Sequence, residues 1–150
     1  MNTGLAIIGA GKVGTIHAQA AQEAGNTPAV ICDLDIERAR QLAQETGGER
    51  TAAVSSPDAV WHDENVDAIV IAVPTAQHEP MTHRALDAGT AVLLEKPMAL
   101  NLEQCDAIVE AAEQHDPPVQ LAFVCRYAPV ALQAKKIIES GALGEIYHAK

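Results

Sequence analysis

Short apolar runs alternate with amphipathic stretches along almost the whole chain. The apolar runs predict strands, and the stretches between them predict helices because their apolar residues recur on one helical face. The predicted strands are residues 5–8, 29–32, 50–53, 68–73, 91–94 and 119–124. The predicted helices are residues 12–24, 36–46, 77–87, 102–115 and 129–140, with a short one opened by Ser56 and Pro57. This alternation is typical of an α/β fold with a doubly wound parallel sheet.

Two of the predicted helices begin with capping signals. Asp35 precedes residues 36–46 and Asn101 precedes residues 102–115, and each side chain can accept hydrogen bonds from the first free backbone amides. Gln104 lies in the position of a capping box. The helix boundaries are therefore marked locally as well as by periodicity.

The loops that follow successive parallel strands are expected at one edge of the sheet. Right-handed crossovers bring them there, and this edge is where ligands bind in such folds. The loops concerned are residues 9–14, 33–35, 74–78, 95–97 and 126–127. These five segments are therefore the candidate ligand-binding loops.

The first of these loops reads Gly9-Ala10-Gly11-Lys12-Val13-Gly14, a complete G-x-G-x-x-G between a strand and a helix. Gly9 permits the tight turn, Gly11 lets a pyrophosphate approach the backbone, and Gly14 lets the helix pack closely on the sheet. The free amides and the positive dipole end of the helix would face the phosphates. The pattern predicts a Rossmann dinucleotide-binding domain.

Asp33 follows the second predicted strand, about 20 residues after the last glycine, where a carboxylate accepts hydrogen bonds from the adenosine ribose hydroxyls. It would repel a 2′-phosphate, which favours NAD over NADP. Arg38 could still reach a 2′-phosphate, so NADP stays open. Asp33 could instead be a helix cap, although Asp35 is better placed for that role.

The loop Glu95-Lys96-Pro97 places a charged pair directly after an apolar strand. Lysine is a mobile donor that can orient a hydroxyl or stabilise an alkoxide. Pro97 fixes the turn, and its peptide bond is a candidate for the cis form. The sequence alone leaves a solvated loop as an equal alternative.

Composition narrows the function classes. The 150 residues are 48% hydrophobic but 3% aromatic, which suits one domain with an aliphatic core. Acidic residues outnumber basic ones 20 to 10, and this disfavours nucleic-acid partners.

Three widely separated cysteines indicate reduced thiols in a cytoplasmic protein. No signal peptide or membrane span is expected, and no metal site, since His78 and His83 do not share a helix face.

Together these motifs resemble the glucose–fructose oxidoreductase and inositol dehydrogenase family. The resemblance also draws on Pro74-Thr75-Ala76-Gln77-His78, Phe123-Val124-Cys125-Arg126-Tyr127 and Gly141-Ala142-Leu143-Gly144-Glu145-Ile146. It implies hydride transfer between NAD(P) and a sugar- or cyclitol-type hydroxyl or carbonyl. Lys96 would be the catalytic residue, positioning the reacting hydroxyl and the nicotinamide ribose. The expected cofactor-binding residues are Gly9, Gly11, Lys12, Val13, Gly14, Asp33, Leu34, Val73, Pro74, Thr75, His78, Glu95 and Lys96.

The resemblance also implies that Lys96 contacts the substrate and that Arg126 contacts it at the entrance to the substrate site. Thr75 and His78 would line the nicotinamide side. Family members often carry asparagine or arginine where this chain has Val124 or Cys125, so the resemblance does not extend to substrate contacts at those two positions.

The resemblance also implies a second α/β domain, which supplies an Asp and a His for proton transfer. We therefore expect residues 1–125 to form the dinucleotide-binding domain. Residues 126–150 would be a crossover helix and, at 145–149, the first strand of that second domain. At this length the chain is expected to be incomplete as an enzyme, and its exposed terminal strands favour a homo-oligomer.

Two alternatives remain at this point. One is a non-catalytic NAD(H)-binding sensor, similar to the regulatory domains of potassium transport systems. Glu95-Lys96-Pro97 argues against it, because a sensor needs no lysine at the nicotinamide end. The other is a structural subunit that has lost the cofactor, and the intact glycines and Asp33 argue against that.

Overall fold

The computed structural model describes residues 3–148 and contains a single six-stranded, all-parallel sheet. Its strands are β1 (Leu5–Ile8), β2 (Val30–Cys32), β3 (Ala52–Val54), β4 (Ala68–Ile71), β5 (Ala91–Leu94) and β6 (Val119–Leu121). Each strand pairs in parallel with its neighbours. The predicted α/β, doubly wound Rossmann-type sheet is confirmed.

Five helices lie between the strands, as the sequence predicts, and a sixth follows β6. They are α1 (Lys12–Glu23), α2 (Ile36–Thr46), α3 (Asp58–Trp61), α4 (His78–Asp87), α5 (Leu102–Gln114) and α6 (Pro129–Glu139). Short 3₁₀ turns cover Gly48–Arg50, Thr75–Gln77 and Val124–Tyr127. The predicted start of the third long helix at residue 77 therefore falls in a 3₁₀ turn that leads into α4.

Both predicted caps are formed. The Asp35 side chain accepts hydrogen bonds from the amides of Glu37 and Arg38, at 3.2 and 3.4 Å. The Asn101 side chain accepts one from the Gln104 amide at 2.9 Å. The Gln104 side chain in turn accepts from the Leu100 amide, one residue before the cap, at 3.1 Å.

The strand order is β3-β2-β1-β4-β5-β6. The chain moves outward from β1 in one direction and then, starting at β4, in the other. The carboxyl ends of β1 and β4 therefore border the point where the strand order reverses, which is where ligands bind in open α/β sheets. The register pairs Ile8 with Ile71 at this edge.

The core lies on both faces of the sheet. On one face Ile7, Ile31 and Val70 pack with Ala18 of α1 and Leu42 of α2. On the other face Ile8, Ile69 and Leu94 pack with Ala85 of α4 and Ile108 of α5. Aliphatic side chains buried on both sides of the central strands are what a parallel sheet requires.

The carboxyl-terminal part departs from the sequence prediction in two ways. The predicted strand 119–124 is shorter, because the Ala122 amide still reaches the Leu94 carbonyl but the Phe123 amide donates back to Leu121, at 2.8 Å in each case. The predicted strand at 145–149 is not formed by the described residues 145–148, which pair with no strand, and Ala149 lies outside the described residues.

Helix α6 stands apart from the core. None of its residues is buried, and Val130 and Ile138 are 78% and 53% exposed. Residues 140–148, which follow α6, are also exposed. Among residues 3–148, no helix is long and apolar enough to cross a membrane.

Candidate cofactor site

The glycine-rich loop turns sharply at Gly9. This residue has φ +100°, and its amide donates to the Cys32 carbonyl at 2.7 Å. A Cβ here would lie 2.4 Å from the Ala72 carbonyl oxygen, so the left-handed backbone and the close approach of the β4 segment both require glycine. The predicted tight turn is confirmed.

Gly14 and Gly11 differ in what surrounds them. A Cβ on Gly14 would lie 1.8 Å from the Gly9 carbonyl oxygen, so α1 packs directly on the loop before it. A Cβ on Gly11 would have nothing within 4 Å. The space above Gly11 is therefore open at the first turn of α1, where backbone amides without helical partners are available to an anion.

Asp33 connects β2 to this loop. Its Oδ2 accepts a hydrogen bond from the Ala10 amide at 2.8 Å, and its Oδ1 accepts one from the Asp35 amide at 2.9 Å. The side chain is 12% exposed, and the Arg38 guanidinium lies 3.7 Å away. A carboxylate has about four lone-pair sites, so two acceptor positions remain for a ligand.

These elements border one cleft of about 850 Å³, within the range of cofactor sites. Eight of the predicted cofactor residues line it: Gly9, Gly11, Lys12, Val13, Asp33, Leu34, Val73 and Pro74. Gly14, Thr75, His78, Glu95, Lys96 and Arg126 do not line it. Gly14 supports the cleft from below, since it lies beneath the turn at Gly9.

The sequence pattern does not single out every lining residue. Pro57 lies after β3, at the same sheet edge as the strand-end loops named above. Gln77 and Met81 also line the cleft, and their spacing of one helical turn in the sequence could have indicated this. Pro57, Met81 and Leu34 give the cleft an apolar part, and Leu34 is 88% exposed.

The Glu95-Lys96-Pro97 loop follows β5 and is fixed at Glu95. Its Oε1 lies 2.8 Å from Nε2 of His17 in α1, and its Oε2 accepts the Lys96 amide at 3.0 Å. The Lys96–Pro97 peptide bond is cis, as the sequence suggested. Within residues 3–148, no carboxylate lies at ion-pair distance from the Lys96 ammonium.

His78 is buried and does not line this cleft. Its ring is 1% exposed, because it lies at the start of α4 behind the loop after β4. Nδ1 is 2.8 Å from the Pro97 carbonyl oxygen, and Nε2 is 3.0 Å from the Val73 carbonyl oxygen. The ring therefore contacts backbone on both sides.

Thr75 and Arg126 are the remaining predicted site residues. Thr75 begins the 3₁₀ turn after β4 and is half-buried. Arg126 is exposed in the turn after β6, with its guanidinium 5.5 Å from the centroid of the Phe123 ring. Val124 and Cys125, where family members often carry polar residues, are also exposed in this turn.

Cys32 is the one group at the site with a shifted pKa among the described residues. Its side chain is 1% exposed, and burial raises the pKa from 9.0 to about 11, with the Asp33 charge adding to the rise. The thiol is therefore neutral at ordinary pH, and it serves as a small apolar floor of the cleft.

A dinucleotide fits these features of the cleft. Gly11 leaves space at amides of a helix N-terminus, and Asp33 retains acceptor positions at the end of β2. Lys12 and Arg38 supply positive charge at the border of a cleft in an otherwise acidic chain. Among residues 3–148, no cluster of three or more His, Cys, Asp or Glu side chains is arranged to hold a metal ion.

Comparison with known proteins agrees with this geometry. Residues 3–123 match the model of an oxidoreductase family described by its NAD-binding Rossmann fold. Inositol 2-dehydrogenase 2 of Saccharopolyspora erythraea is 35% identical over 147 residues, covering 96% of this chain and 43% of that protein. The scyllo-inositol 2-dehydrogenase (NAD(+)) of Bacillus subtilis is 32% identical, covering 95% of this chain and 42% of that protein.

Solved structures give the same result. The crystal structure of myo-inositol 2-dehydrogenase from Lactobacillus plantarum superposes with a TM-score of 0.87 at 32% identity. The match covers 97% of this chain and 43% of that one. The chain thus spans less than half the length of the relatives that it matches.

Proposed function

This chain belongs to the oxidoreductase family with the NAD-binding Rossmann fold that its residues 3–123 match, and we propose that it holds NAD(H) for hydride transfer between the nicotinamide and a sugar- or cyclitol-type hydroxyl or carbonyl. The observation that carries the proposal is the pairing of open space over Gly11 with the two remaining acceptor positions of Asp33 in one cleft. The dehydrogenase relatives support this class of reaction, and they give no support to the alternative of a sensor module.

The cleft residues have distinct roles in this proposal. Amides of the first turn of α1 bind the pyrophosphate over Gly11, with the Lys12 ammonium nearby. Asp33 accepts hydrogen bonds from the adenosine ribose hydroxyls, and Leu34 lies against the adjoining base. Val73 and Pro74, at the end of β4, border the nicotinamide end. This order follows the direction from β2 across β1 to β4 along the sheet edge.

Lys96 is the proposed catalytic residue. When bound, the nicotinamide accepts the hydride or returns it. The Lys96 ammonium donates hydrogen bonds, and it has no partner carboxylate among residues 3–148 that would hold it elsewhere. It would orient the reacting hydroxyl and the nicotinamide ribose together. Arg126, exposed after β6, would contact the substrate from the other side.

The carboxyl-terminal segment is proposed to serve a second domain. Residues 1–125 would form the dinucleotide-binding domain, and residues 126–150 would lead into further protein. Two observations support this: α6 buries none of its residues, and the chain covers only 43% of a relative such as the S. erythraea protein. If exposed apolar residues of α6 such as Val130 and Ile138 instead join two copies of the chain, sedimentation would detect a homo-oligomer.

The proposed function is tested by titration. Purified chain added to NADH should raise and saturate the nicotinamide fluorescence, and ADP-ribose should compete. NAD with a panel of cyclitols and sugars then tests turnover by absorbance of NADH. We expect binding without turnover from the chain alone, since a donor ammonium does not accept the hydroxyl proton. Absence of saturable binding at millimolar NADH would overturn the proposal.

A further inference from the structure

The residues on both sides of Lys96 are held by histidines from other elements. Glu95 contacts His17 of α1, and Pro97 contacts His78 of α4. Lys96 itself has only its backbone amide engaged among these contacts, through the Glu95 carboxylate. The segment is thus fixed on each side of the lysine, while the lysine side chain stays exposed.

The contact between His17 and Glu95 is nearly enclosed. The two side chains are 14% and 12% exposed, and they join positions that are 78 residues apart in the chain. With Glu95 ionised, the Nε2–H group of His17 donates a hydrogen bond to one carboxylate oxygen, and the other oxygen accepts a hydrogen bond from the Lys96 amide. The carboxylate therefore connects the backbone at Lys96 to α1, the helix that begins at the glycine-rich loop.

The His78 ring makes the second connection. It lies within 3.0 Å of the carbonyl oxygens of both Pro97 and Val73. A neutral imidazole donates one of these hydrogen bonds, and an imidazolium donates both. In either state the ring fills the space between the loop after β5 and the end of β4, since it is 1% exposed. Val73 is itself a cleft residue.

We propose that His17 and His78 are positioning residues, which fix the backbone on either side of Lys96 relative to the cofactor cleft. The proposal rests on the role of Lys96 given above. Neither histidine lines the cleft, so each acts through the loop rather than on the cofactor. Each ties the lysine loop to a different cleft element: His17 to α1, and His78 to the end of β4.

Such positioning matters because the flexible Lys96 side chain can reach the nicotinamide end of the cleft reproducibly only if its backbone is held in place. Displacement of a reacting group by about 1 Å can cost about 100-fold in rate. Two hydrogen-bonded contacts on one short loop remove most of the backbone freedom that would allow such a displacement. The cis Lys96–Pro97 bond lies between the two contacts.

The test compares two ligands of the full chain, NADH and ADP. ADP occupies the Asp33 and Gly11 part of the cleft but lacks the nicotinamide riboside that Lys96 would contact. Lys96→Ala should weaken NADH by about tenfold and leave ADP unchanged. His17→Ala should weaken NADH by about three- to tenfold, also without changing ADP. His17→Gln keeps a donor near the position of Nε2 and should restore NADH affinity.

The coupling between the sites is the decisive measurement. In the Lys96→Ala background, His17→Ala should have no further effect on NADH, because the residue it positions is gone. His78→Asn, which keeps a donor toward Pro97, should retain more NADH affinity than His78→Leu. His115→Ala is the matched control, since that ring bonds Ala111 and pairs with Asp87 away from the loop. Unchanged ADP affinity shows that each variant is folded.

The outcomes separate this proposal from the proposed function. If Lys96→Ala leaves NADH affinity unchanged, the role of Lys96 fails. If Lys96→Ala weakens NADH but the histidine variants do not, or if their effects add in full to that of Lys96→Ala, the positioning proposal is overturned. Should His17→Ala fail to fold, Glu95→Leu replaces it, because it removes the acceptor of both His17 and the Lys96 amide.

Discussion

Replacement of Asp33 by alanine should separate its structural role from its role in cofactor binding. The structural cost comes mainly from Ala10, which is 4% exposed and whose amide loses its acceptor at 2.8 Å. An unsatisfied buried amide costs about 1–3 kcal/mol. Asp35 is more exposed, so water can replace the second bond.

The binding cost comes from the two acceptor positions of Asp33 that its backbone contacts leave free. Loss of hydrogen bonds from ribose hydroxyls to a charged acceptor should weaken NADH by about 1–3 kcal/mol, or about 5- to 150-fold. NADPH should be weakened less or should bind better. The substitution removes a repulsive charge and releases Arg38, now 3.7 Å from the carboxylate, for a 2′-phosphate.

The assay measures NADH and NADPH affinity by fluorescence and the free energy of unfolding by urea. Asp67→Ala is a matched control, because the Asp67 carboxylate also accepts a long-range amide bond, from Gly4 at 2.7 Å, before β1 and β4 rather than after them. The control should lose stability and keep NADH affinity. If Asp33→Ala behaves like Asp67→Ala in both measurements, Asp33 has no part in ribose binding and the reasoning is refuted.

Substitutions at the glycine-rich loop, at Cys32 and at the cap of α5 should each have a distinct effect. Gly11→Ala should leave stability unchanged and abolish NADH binding, because its new Cβ fills the open space where the pyrophosphate would lie. Gly14→Ala should cost about 1–3 kcal/mol of stability, because the new Cβ would lie 1.8 Å from the Gly9 carbonyl oxygen. Equal melting temperatures for the Gly11→Ala and Gly14→Ala variants would contradict this. Cys32 has a folded pKa of about 11 against 9.0, so its contribution to stability is present below pH 9 and is lost as pH rises toward 11; unfolding at pH 8 and 10.5 should show a fall that Cys32→Ala lacks. Asn101→Ala should cost about 1 kcal/mol in urea unfolding by removing the cap of α5, and a change below about 0.2 kcal/mol would count against that cap.

The sequence was sufficient for features that depend on local chemistry. The roles of Gly9 and Gly14 could be predicted because a positive φ and a close backbone approach each exclude a side chain. The caps at Asp35 and Asn101 could be predicted because the acceptor and donor are two or three residues apart. The doubly wound parallel sheet could be predicted because strands and helices alternate along the chain, whereas the order of its strands is known only from the structure.

Contacts between distant segments were not predictable in this way. Nothing local indicates that His17 meets Glu95, since a half-buried histidine in an amphipathic helix also fits ordinary packing. The burial of His78 depends on the carbonyls of Val73 and Pro97, which converge only in the folded sheet. The early end of β6 depends in the same way on a turn at Phe123.

The reversal of strand order between β1 and β4 divides the cleft between two halves of the chain. Asp33 and Arg38, which would contact the adenosine end of the cofactor, belong to the half of the chain that precedes β4. Lys96 belongs to the half that follows β4. Their hydrogen-bonding partners do not overlap among residues 3–148. Substitutions at the two ends should therefore combine additively. Substitutions after β2 could therefore change the preference from NAD to NADP, in an engineered enzyme or in evolution, without altering the loop that carries Lys96.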